Sequence, residues 1–108
     1  MFKPMACGFH EHGDLGSLDA ASTAKAKVKR AKELGRIADC LTDHGTMNGL
    51  ASQYRYCKEH DLQCIHGIEA YMQDPFNPTY IDSKGRTQKA YAHLTIHFKD
   101  QEAYRYFC

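Results

Sequence analysis

Three short apolar segments of this chain each run into side chains of the kind that bind metal ions. The motifs that follow them are HEH at 10–12, TDHG at 42–45 and GIE at 67–69. In α/β proteins, the carboxyl ends of neighbouring parallel strands present their functional groups at the same edge of the sheet. The pattern therefore predicts an α/β fold in which these imidazoles and carboxylates belong to one polynuclear metal site.

The sequence around these motifs alternates between helical and extended patterns. Apolar residues recur at helical spacing in 23–34, which Ser22 or Thr23 can cap and Gly35 can end in a left-handed turn. The region 73–89 is rich in turn-forming residues and has room for a short hairpin. The other predicted elements are strands at 5–9, 37–42, 63–71 and 91–98, a loop at 13–22, a helix at 47–60 and a last helix capped by Asp100.

Each of the two central helices shows an apolar stripe and a polar arc. The predicted stripes consist of Ala24, Val28, Ala31 and Leu34 in the first helix and of Leu50, Tyr54 and Cys57 in the second. Basic residues fill the exposed arc of the first helix, which favours a solvated surface over a DNA contact. They are Lys25, Lys27, Lys29, Arg30, Lys32 and Arg36.

His10 and His12 are the first predicted metal ligands. On an extended strand, residues two positions apart point to the same face, so both imidazoles can approach one ion while Glu11 points away. Imidazole and carboxylate ligands together suit zinc, manganese or iron. The five cysteines include no C-x-x-C pair, so the sequence indicates neither a disulfide framework nor a zinc ribbon.

Several longer motifs share one order along the chain: HEH, SLDAAS, LTDHGTMNGL, GIEAYM and YAHLTI. In this order they resemble the N-terminal part of the polymerase and histidinol phosphatase (PHP) domain. The closest likeness is to the version at the start of bacterial and phage DNA polymerase III alpha subunits. The helical segments VKRAKELG at 28–35 and YRYCKE at 54–59 stand where that version has its helices. The resemblance runs from Ala6 to Cys108, nearly the whole chain.

The resemblance implies a ligand set, namely His10, His12, Asp19, His44, Glu69 and His93. Glu69 is then the carboxylate that bridges the ions and Asp43 is the neighbour that orients the cluster, so these two are the expected catalytic residues. The implied cofactors are divalent Zn, Mn or Fe ions, up to three in a complete site. The family's remaining ligands, a cysteine, an aspartate and a histidine on later strands, have no counterpart here, and Ala20 replaces the usual glycine after Asp19.

The implied architecture is a partial (β/α) barrel of the PHP type, with about four parallel βα units and the barrel not closed. Residues 1–108 are then the N-terminal portion of a single PHP domain whose C-terminal strands are missing, because a closed barrel of this kind needs about 200 residues or more. The open strands leave unpaired backbone groups at the edge of the sheet, and such groups invite pairing with another segment or chain.

The implied chemistry is phosphoester hydrolysis at the metal site. In the polymerase branch, this means 3′–5′ exonuclease proofreading or a structural role within a protein of DNA replication, and a fragment alone is expected to be inactive. The implied partners are DNA bound through the parent polymerase, other polymerase segments and the proofreading subunit. Two alternatives stay open: a free-standing metal-dependent phosphoesterase of the same superfamily, and a non-catalytic interaction module stabilised by metal.

Composition and the remaining polar residues add two expectations. The net charge is +1, and no apolar run approaches the roughly 18 residues of a membrane span, so a cytoplasmic protein without a membrane partner is expected. The N-terminus also lacks the apolar core of a signal peptide. Asp39 and His66 are polar residues in two predicted strands. If those strands are neighbours, a hydrogen bond between the two side chains is predicted.

Overall fold

A computed structural model describes residues 7–16 and 19–108 of the chain. The predicted strand at 5–9 lies partly outside these residues, and its described part is not a strand. Among the described residues, the helices are too short and too polar to cross a membrane. The elements are α1 Ala24–Glu33, β1 Ala38–Leu41, α2 Leu50–Glu59, β2 Gln63–Gln73, β3 Thr79–Ile81, β4 Thr87–Lys89, β5 Tyr91–His97 and α3 Gln101–Phe107.

The ends of α1 form where the sequence predicts them. The Oγ1 atom of Thr23 accepts a hydrogen bond from the backbone N–H of Ala26 at 3.1 Å, which caps the first turn. Gly35 has a φ of 70°, the left-handed conformation that ends a helix. The predicted stripe is buried as far as Ala31, but Leu34 is 45% exposed. Its predicted burial is wrong because Leu34 occupies the C-cap, where the chain is already leaving the helix.

β1 and β2 form the parallel pair at the centre of the fold. Ala38 lies opposite Gln63 and Leu41 opposite His66, and all of β1 is buried. Helices α1 and α2 pack against these strands and against each other. The apolar core between them consists of Val28, Ala31, Cys57 and Leu62. This α/β unit fixes the strand ends at which the predicted ligands lie.

β5 runs antiparallel to β2, so the prediction of about four parallel βα units is wrong for the last strand. The first four residues of β2 pair with β1, and its last seven, Gly67 to Gln73, pair with β5. The direction follows from the connection, because 74–90 holds the β3–β4 hairpin in the place of a crossover helix. The hairpin that the sequence allows is thereby confirmed. The described residues form a mixed sheet in the order β1-β2-β5.

A buried glutamine of α2 links the two polar residues of the neighbouring strands. Gln53 Nε2 donates to Asp39 Oδ2 at 2.9 Å, and Gln53 Oε1 accepts from His66 Nδ1 at 3.1 Å. The predicted direct Asp39–His66 bond is wrong, because the register puts Asp39 opposite Cys64 instead. Burial raises the pKa of Asp39 and lowers the pKa of His66, in each case toward the neutral form. Tyr54 is 49% exposed, contrary to prediction, since Gln53 takes the inward position.

The predicted final helix is present as α3. Asp100 Oδ1 accepts a hydrogen bond from the backbone N–H of Ala103 at 2.9 Å, so Asp100 caps the helix as expected. None of the described α3 residues is buried. The helix borders a groove of about 860 Å³, which is lined in part by Cys57 and Phe98. α3 therefore adds little to the core of the described part of the chain.

Candidate metal centre

Glu69 lies at the centre of the side chains that the sequence analysis selected. It is on β2, its side chain is 7% exposed, and its two carboxylate oxygens face different partners. Oε2 lies 2.9 Å from His10 Nε2 and 3.3 Å from His12 Nε2. Oε1 lies 3.1 Å from His93 Nδ1. One buried carboxylate thus connects histidines from the start and from the end of the chain.

The cluster divides into two groups of possible ligands that share Glu69. One group contains His10 and His12, the other contains His44 and His93, and within each group the ligand atoms lie within 4.8 Å of one another. Imidazole nitrogen and carboxylate oxygen are donors that zinc, manganese and iron accept. A carboxylate shared by two groups of histidines is suited to a pair of neighbouring ions. The donor set therefore fits the divalent metals that the family resemblance implies.

The HEH motif is held by its backbone and by its middle residue. The backbone N–H of Thr42 donates to Glu11 O at 2.8 Å, and the N–H of Glu11 donates to Thr42 Oγ1 at 3.1 Å. The Glu11 carboxylate points away from the cluster, as strand alternation predicts, and lies 3.3 Å from Lys27 Nζ and 3.0 Å from Arg36 Nη1. The Lys27 side chain is only 10% exposed. The prediction that it belongs to a solvated arc is wrong, because Lys27 binds Glu11.

The TDHG motif continues from β1 along the edge of β2. His44 and Glu69 form an isolated parallel bridge, in which Glu69 N–H donates to Asp43 O at 3.1 Å and Gly45 N–H donates to Glu69 O at 2.8 Å. This pairing brings the His44 ring within 3.8 Å of Glu69 Oε2. Asp19 reaches the same place from the loop before α1, and its Oδ2 lies 3.2 Å from His44 Nδ1. Asp19 thus joins the cluster through His44.

Asp43 lies beside the cluster and binds a neighbouring loop. It is only 1% exposed, and its Oδ1 accepts a hydrogen bond from Gly13 N–H at 2.7 Å. A Cβ atom on Gly16 would lie 3.0 Å from Oδ1, and one on Gly49 would lie 2.8 Å from Oδ2. Asp43 belongs to neither ligand group of the described residues. Its carboxylate instead binds the loop after HEH through Gly13 and lies close to Gly49 at the start of α2.

His93 reaches the cluster through the register of the antiparallel pair. Residues directly opposite each other on paired strands share a face, as do alternate residues on one strand. Tyr71 lies opposite His93, so Glu69, Tyr71 and His93 are on the same face of β2 and β5. The antiparallel direction of β5 is therefore compatible with the predicted proximity of His93 to the other ligands.

The histidines around Glu69 favour its ionised form. A hydrogen bond from His10 lowers the pKa of the Glu69 carboxyl, although burial acts in the opposite direction. The charges of His10, His44 and His12 lower the pKa further. Glu69 is therefore anionic near neutral pH, the form in which a carboxylate binds a cation.

Tyr71 also contacts the cluster, although it was not among the predicted site residues. Its ring centroid lies 4.8 Å from that of His44 and 5.1 Å from that of His93. A Cβ atom on Gly45 would lie 3.0 Å from this ring, so the glycine permits the close approach. The signal was present in GIEAYM, because alternate strand residues share a face and Tyr71 follows Glu69 by two.

Comparison with known proteins establishes the family. A model of the PHP domain matches residues 9–108, which include all six predicted ligands. The chain belongs to the PHP domain family. The resemblance in motif order is thereby confirmed, and the cluster around Glu69 is the part of this PHP chain in which the motifs meet.

The relatives of this PHP chain are much longer proteins. The DNA polymerase III subunit alpha of Helicobacter pylori is 36% identical over 95 residues, which cover 88% of this chain and 7% of the relative. The same subunit of Deinococcus radiodurans is 34% identical over 104 residues, which cover 92% of this chain and 8% of the relative. The chain thus spans 7–8% of the length of these relatives.

A solved structure shares the fold of this PHP chain. It is an amidohydrolase from Chromobacterium violaceum, with a TM-score of 0.57 and 23% identity. The matched region covers 64% of this chain and 24% of the amidohydrolase. The described residues therefore correspond to part of a larger fold of that type.

Proposed function

We propose that this chain is part of the PHP domain of a bacterial or phage DNA polymerase III alpha subunit, where it binds divalent metal ions for phosphodiester hydrolysis. The relatives, which are alpha subunits 36% and 34% identical to the chain, support the polymerase assignment. One observation carries the metal site: the buried Glu69 carboxylate is shared by two groups of histidines.

Six side chains of this chain would hold the ions. His10 and His12 would hold one ion, His44 and His93 would hold another, and Glu69 would be the carboxylate that both groups share. Asp19 lies beside His44 and completes the ligand set. The ions are Zn, Mn or Fe, up to three in a complete site. Bound there, they would lower the pKa of a water molecule and neutralise charge on phosphate oxygens.

The chain's own residues prepare the cluster for a phosphate group. Glu69 supplies the negative charge, and the imidazoles bind a cation only when the ligating nitrogen is unprotonated. The side chains of His10 and His93 are 52% and 49% exposed, so a phosphate group could reach the cluster. Asp43 is a positioning residue, since its backbone oxygen holds Glu69 and its carboxylate holds the loop after HEH.

Within an alpha subunit, this hydrolysis would serve 3′–5′ proofreading during DNA replication in the cytoplasm, with DNA and the proofreading subunit as partners. A domain that braces the polymerase is the structural version of the same proposal. A free-standing phosphoesterase has less support, because the relatives with the identities given above are polymerase subunits. A metal-stabilised interaction module would not need ligands that a substrate can reach, so the exposure of the cluster does not favour this alternative.

A metal titration of the full chain tests the site. Wild type, Glu69→Gln and Glu59→Gln are titrated with Mn²⁺ and Zn²⁺ by calorimetry, and Glu59 is the matched control because it is an exposed glutamate at the end of α2. We expect wild type and Glu59→Gln to bind alike, and Glu69→Gln to bind at least about tenfold more weakly. Equal affinity of all three proteins would contradict the proposal.

Phosphodiester binding is the second readout, and it separates a reactive site from an interaction module. The phosphorus resonance of dimethyl phosphate is recorded with the Mn²⁺-loaded chain. We expect paramagnetic broadening with wild type and little with Glu69→Gln, because the phosphate must lie near the ions to relax. A chain that binds Mn²⁺ without broadening this resonance is the interaction module instead.

A further inference from the structure

Two exposed aromatic rings continue the metal cluster along the same face of the sheet. Tyr71 follows Glu69 by two residues on β2, and the register puts His93 opposite Tyr71. Tyr91 precedes His93 by two residues on β5. Because alternate residues share a face, both tyrosines lie on the side of the sheet that carries Glu69 and His93. We refer to Tyr71 and Tyr91 together as the aromatic wall.

Tyr71 is fixed against the cluster at one side. Its ring contacts the rings of His44 and His93, with centroids 4.8 Å and 5.1 Å away. The missing side chain of Gly45, which has a φ of 66°, leaves the space that this ring occupies. Tyr71 is nevertheless 57% exposed. Its position is determined by the cluster, while much of its surface is available to a ligand.

Tyr91 extends the wall away from the cluster. Its ring centroid lies 6.2 Å from that of Tyr71, with the planes at 76°. Tyr91 is 54% exposed. A cross-strand aromatic pair of this kind stabilises an antiparallel pair of strands, which accounts for the contact between the rings. It does not account for two large exposed rings directly beside an open set of metal ligands.

We propose that the aromatic wall stacks on an unpaired base of the nucleotide whose phosphate lies at the cluster. The inference rests on the proposed function and specifies its substrate as a base-bearing phosphodiester in single-stranded DNA. Base–aromatic stacking needs only an accessible ring and an accessible base, and it tolerates every base. A base within a duplex is already stacked on both sides and cannot use the wall in this way. Small phosphate esters without a base gain nothing from it.

Two single-stranded probes separate stacking from phosphate binding. One probe is a labelled oligothymidylate, and the other has the same number of phosphates but an abasic sugar at every position. Fluorescence anisotropy measures the affinity of each probe for the full chain loaded with Mn²⁺. We expect wild type to bind the base-bearing probe roughly 5- to 100-fold more tightly than the abasic probe.

Variants of Tyr91 assign the preference to the wall. Tyr91→Leu keeps an apolar side chain between the strands but loses the flat ring, so the preference for bases should largely disappear. Tyr91→Phe should retain it, because stacking uses the ring and not the hydroxyl group. Tyr106→Leu is the matched control, since Tyr106 lies on α3 and is 87% exposed. An unchanged preference in Tyr91→Leu would overturn the proposal, as would equal binding of the two probes by wild type.

A measurement on wild type alone keeps the test decisive if Tyr91→Leu does not fold. With the chain loaded with Zn²⁺, which is diamagnetic, the thymine methyl resonances of the bound oligothymidylate should move upfield through the ring currents of the tyrosines, and unshifted resonances would refute the stacking. The Mn²⁺ titration is read first, so that failure of the metal site is recognised separately. If the chain binds Mn²⁺ normally but shows no preference for bases, stacking on the aromatic wall is refuted while the proposed metal site is not.

Discussion

Lys27 of α1 and Glu11 of the HEH motif form an ion pair with 3.3 Å between Nζ and Oε2. Lys27 Nζ also donates to the backbone oxygen of Cys40 in β1 at 3.1 Å. One ammonium group therefore ties a helix, a strand and the residue that lies between the two ligand histidines. We expect the orientation of His10 and His12 toward Glu69 to depend on this ion pair, although Lys27 itself lies outside the ligand groups of the described residues.

Lys27→Met should weaken metal binding. The change keeps the aliphatic stem but removes one of the two cations that hold Glu11, so only Arg36 then pairs with its carboxylate and the HEH motif is held less firmly. We expect roughly tenfold weaker Mn²⁺ binding by calorimetry, the scale seen when an outer support of a metal ligand is removed. Lys29→Met is the control, because Lys29 is exposed on the same helix. Equal affinity in the two variants would show that the ion pair does not support the ligands.

Gln53→Leu should lower the free energy of unfolding. The leucine leaves Asp39 Oδ2 and His66 Nδ1 without the partners that Gln53 supplies. We expect a loss of about 1–3 kcal/mol in urea unfolding of the metal-free chain, the usual cost of unpaired buried polar groups. Gln63→Leu, at an exposed position at the start of β2, should change the stability by less than about 0.5 kcal/mol. A stable Gln53→Leu protein would show that the polar link contributes nothing.

His66 should make the stability of the metal-free chain depend on pH. Burial lowers the pKa of His66 from its ordinary 6.5. As the pH falls below 6.5, the unfolded chain takes up this proton before the folded chain does, so the free energy of unfolding decreases. The decrease ends below the folded-state pKa. Urea unfolding at a series of pH values should show a shallower decrease for His66→Gln than for wild type.

His60→Gln is the control for this pH dependence, because His60 lies at the C-cap of α2, outside the polar link to Gln53. We expect it to retain the wild-type dependence on pH. If His66→Gln and wild type lose stability in parallel between pH 6.5 and the acid range, burial of the His66 ring is not the cause.

Gly49→Ala should damage both the fold and the metal site. A Cβ atom there would lie 2.6 Å from Leu41 Cδ2 and 2.8 Å from Asp43 Oδ2. We expect a loss of about 1–3 kcal/mol in unfolding free energy, as for other overpacked interiors, and weaker Mn²⁺ binding because Asp43 must move. Gly85→Ala is the comparison, because alanine is strained at the φ of 75° found there while no atom lies within 4 Å of the added Cβ. It should lose stability and keep its metal affinity, and equal Mn²⁺ affinity in both variants would contradict the role of Asp43.

The sequence predicted those features that depend on local chemistry. The caps at Thr23 and Asp100 and the turn at Gly35 require only particular side chains at helix ends, and all three are present. The nearness of the predicted ligands was also predictable, because motifs at successive strand ends meet at one edge of a sheet. Asp19 differs from the other predicted ligands because it lies in the loop before α1, and it reaches the cluster through His44.

The features that the sequence did not predict depend on contacts between distant segments. The turn-rich composition of 73–89 left room for the hairpin, but it did not show that the segment after it returns antiparallel to β2. Gln53 and Tyr54 are adjacent, and which of them faces inward depends on the polar partners that β1 and β2 offer. Lys27 resembled its solvated neighbours because its acidic partner lies sixteen residues earlier in the chain.

The alignment of β5 with β2 has a consequence for how the chain could be monitored as it folds. At Gly67, a Cβ atom would lie 2.8 Å from Thr42 Cγ2 and still closer to the backbone oxygen of Ile96, so the two backbones meet without room for adjustment. A shift of one residue in the register between β2 and β5 would turn His93 to the opposite face of the sheet. Metal binding would then show whether β5 has paired with β2 in the correct register. A chain with these strands out of register could be folded and still fail to bind the ion.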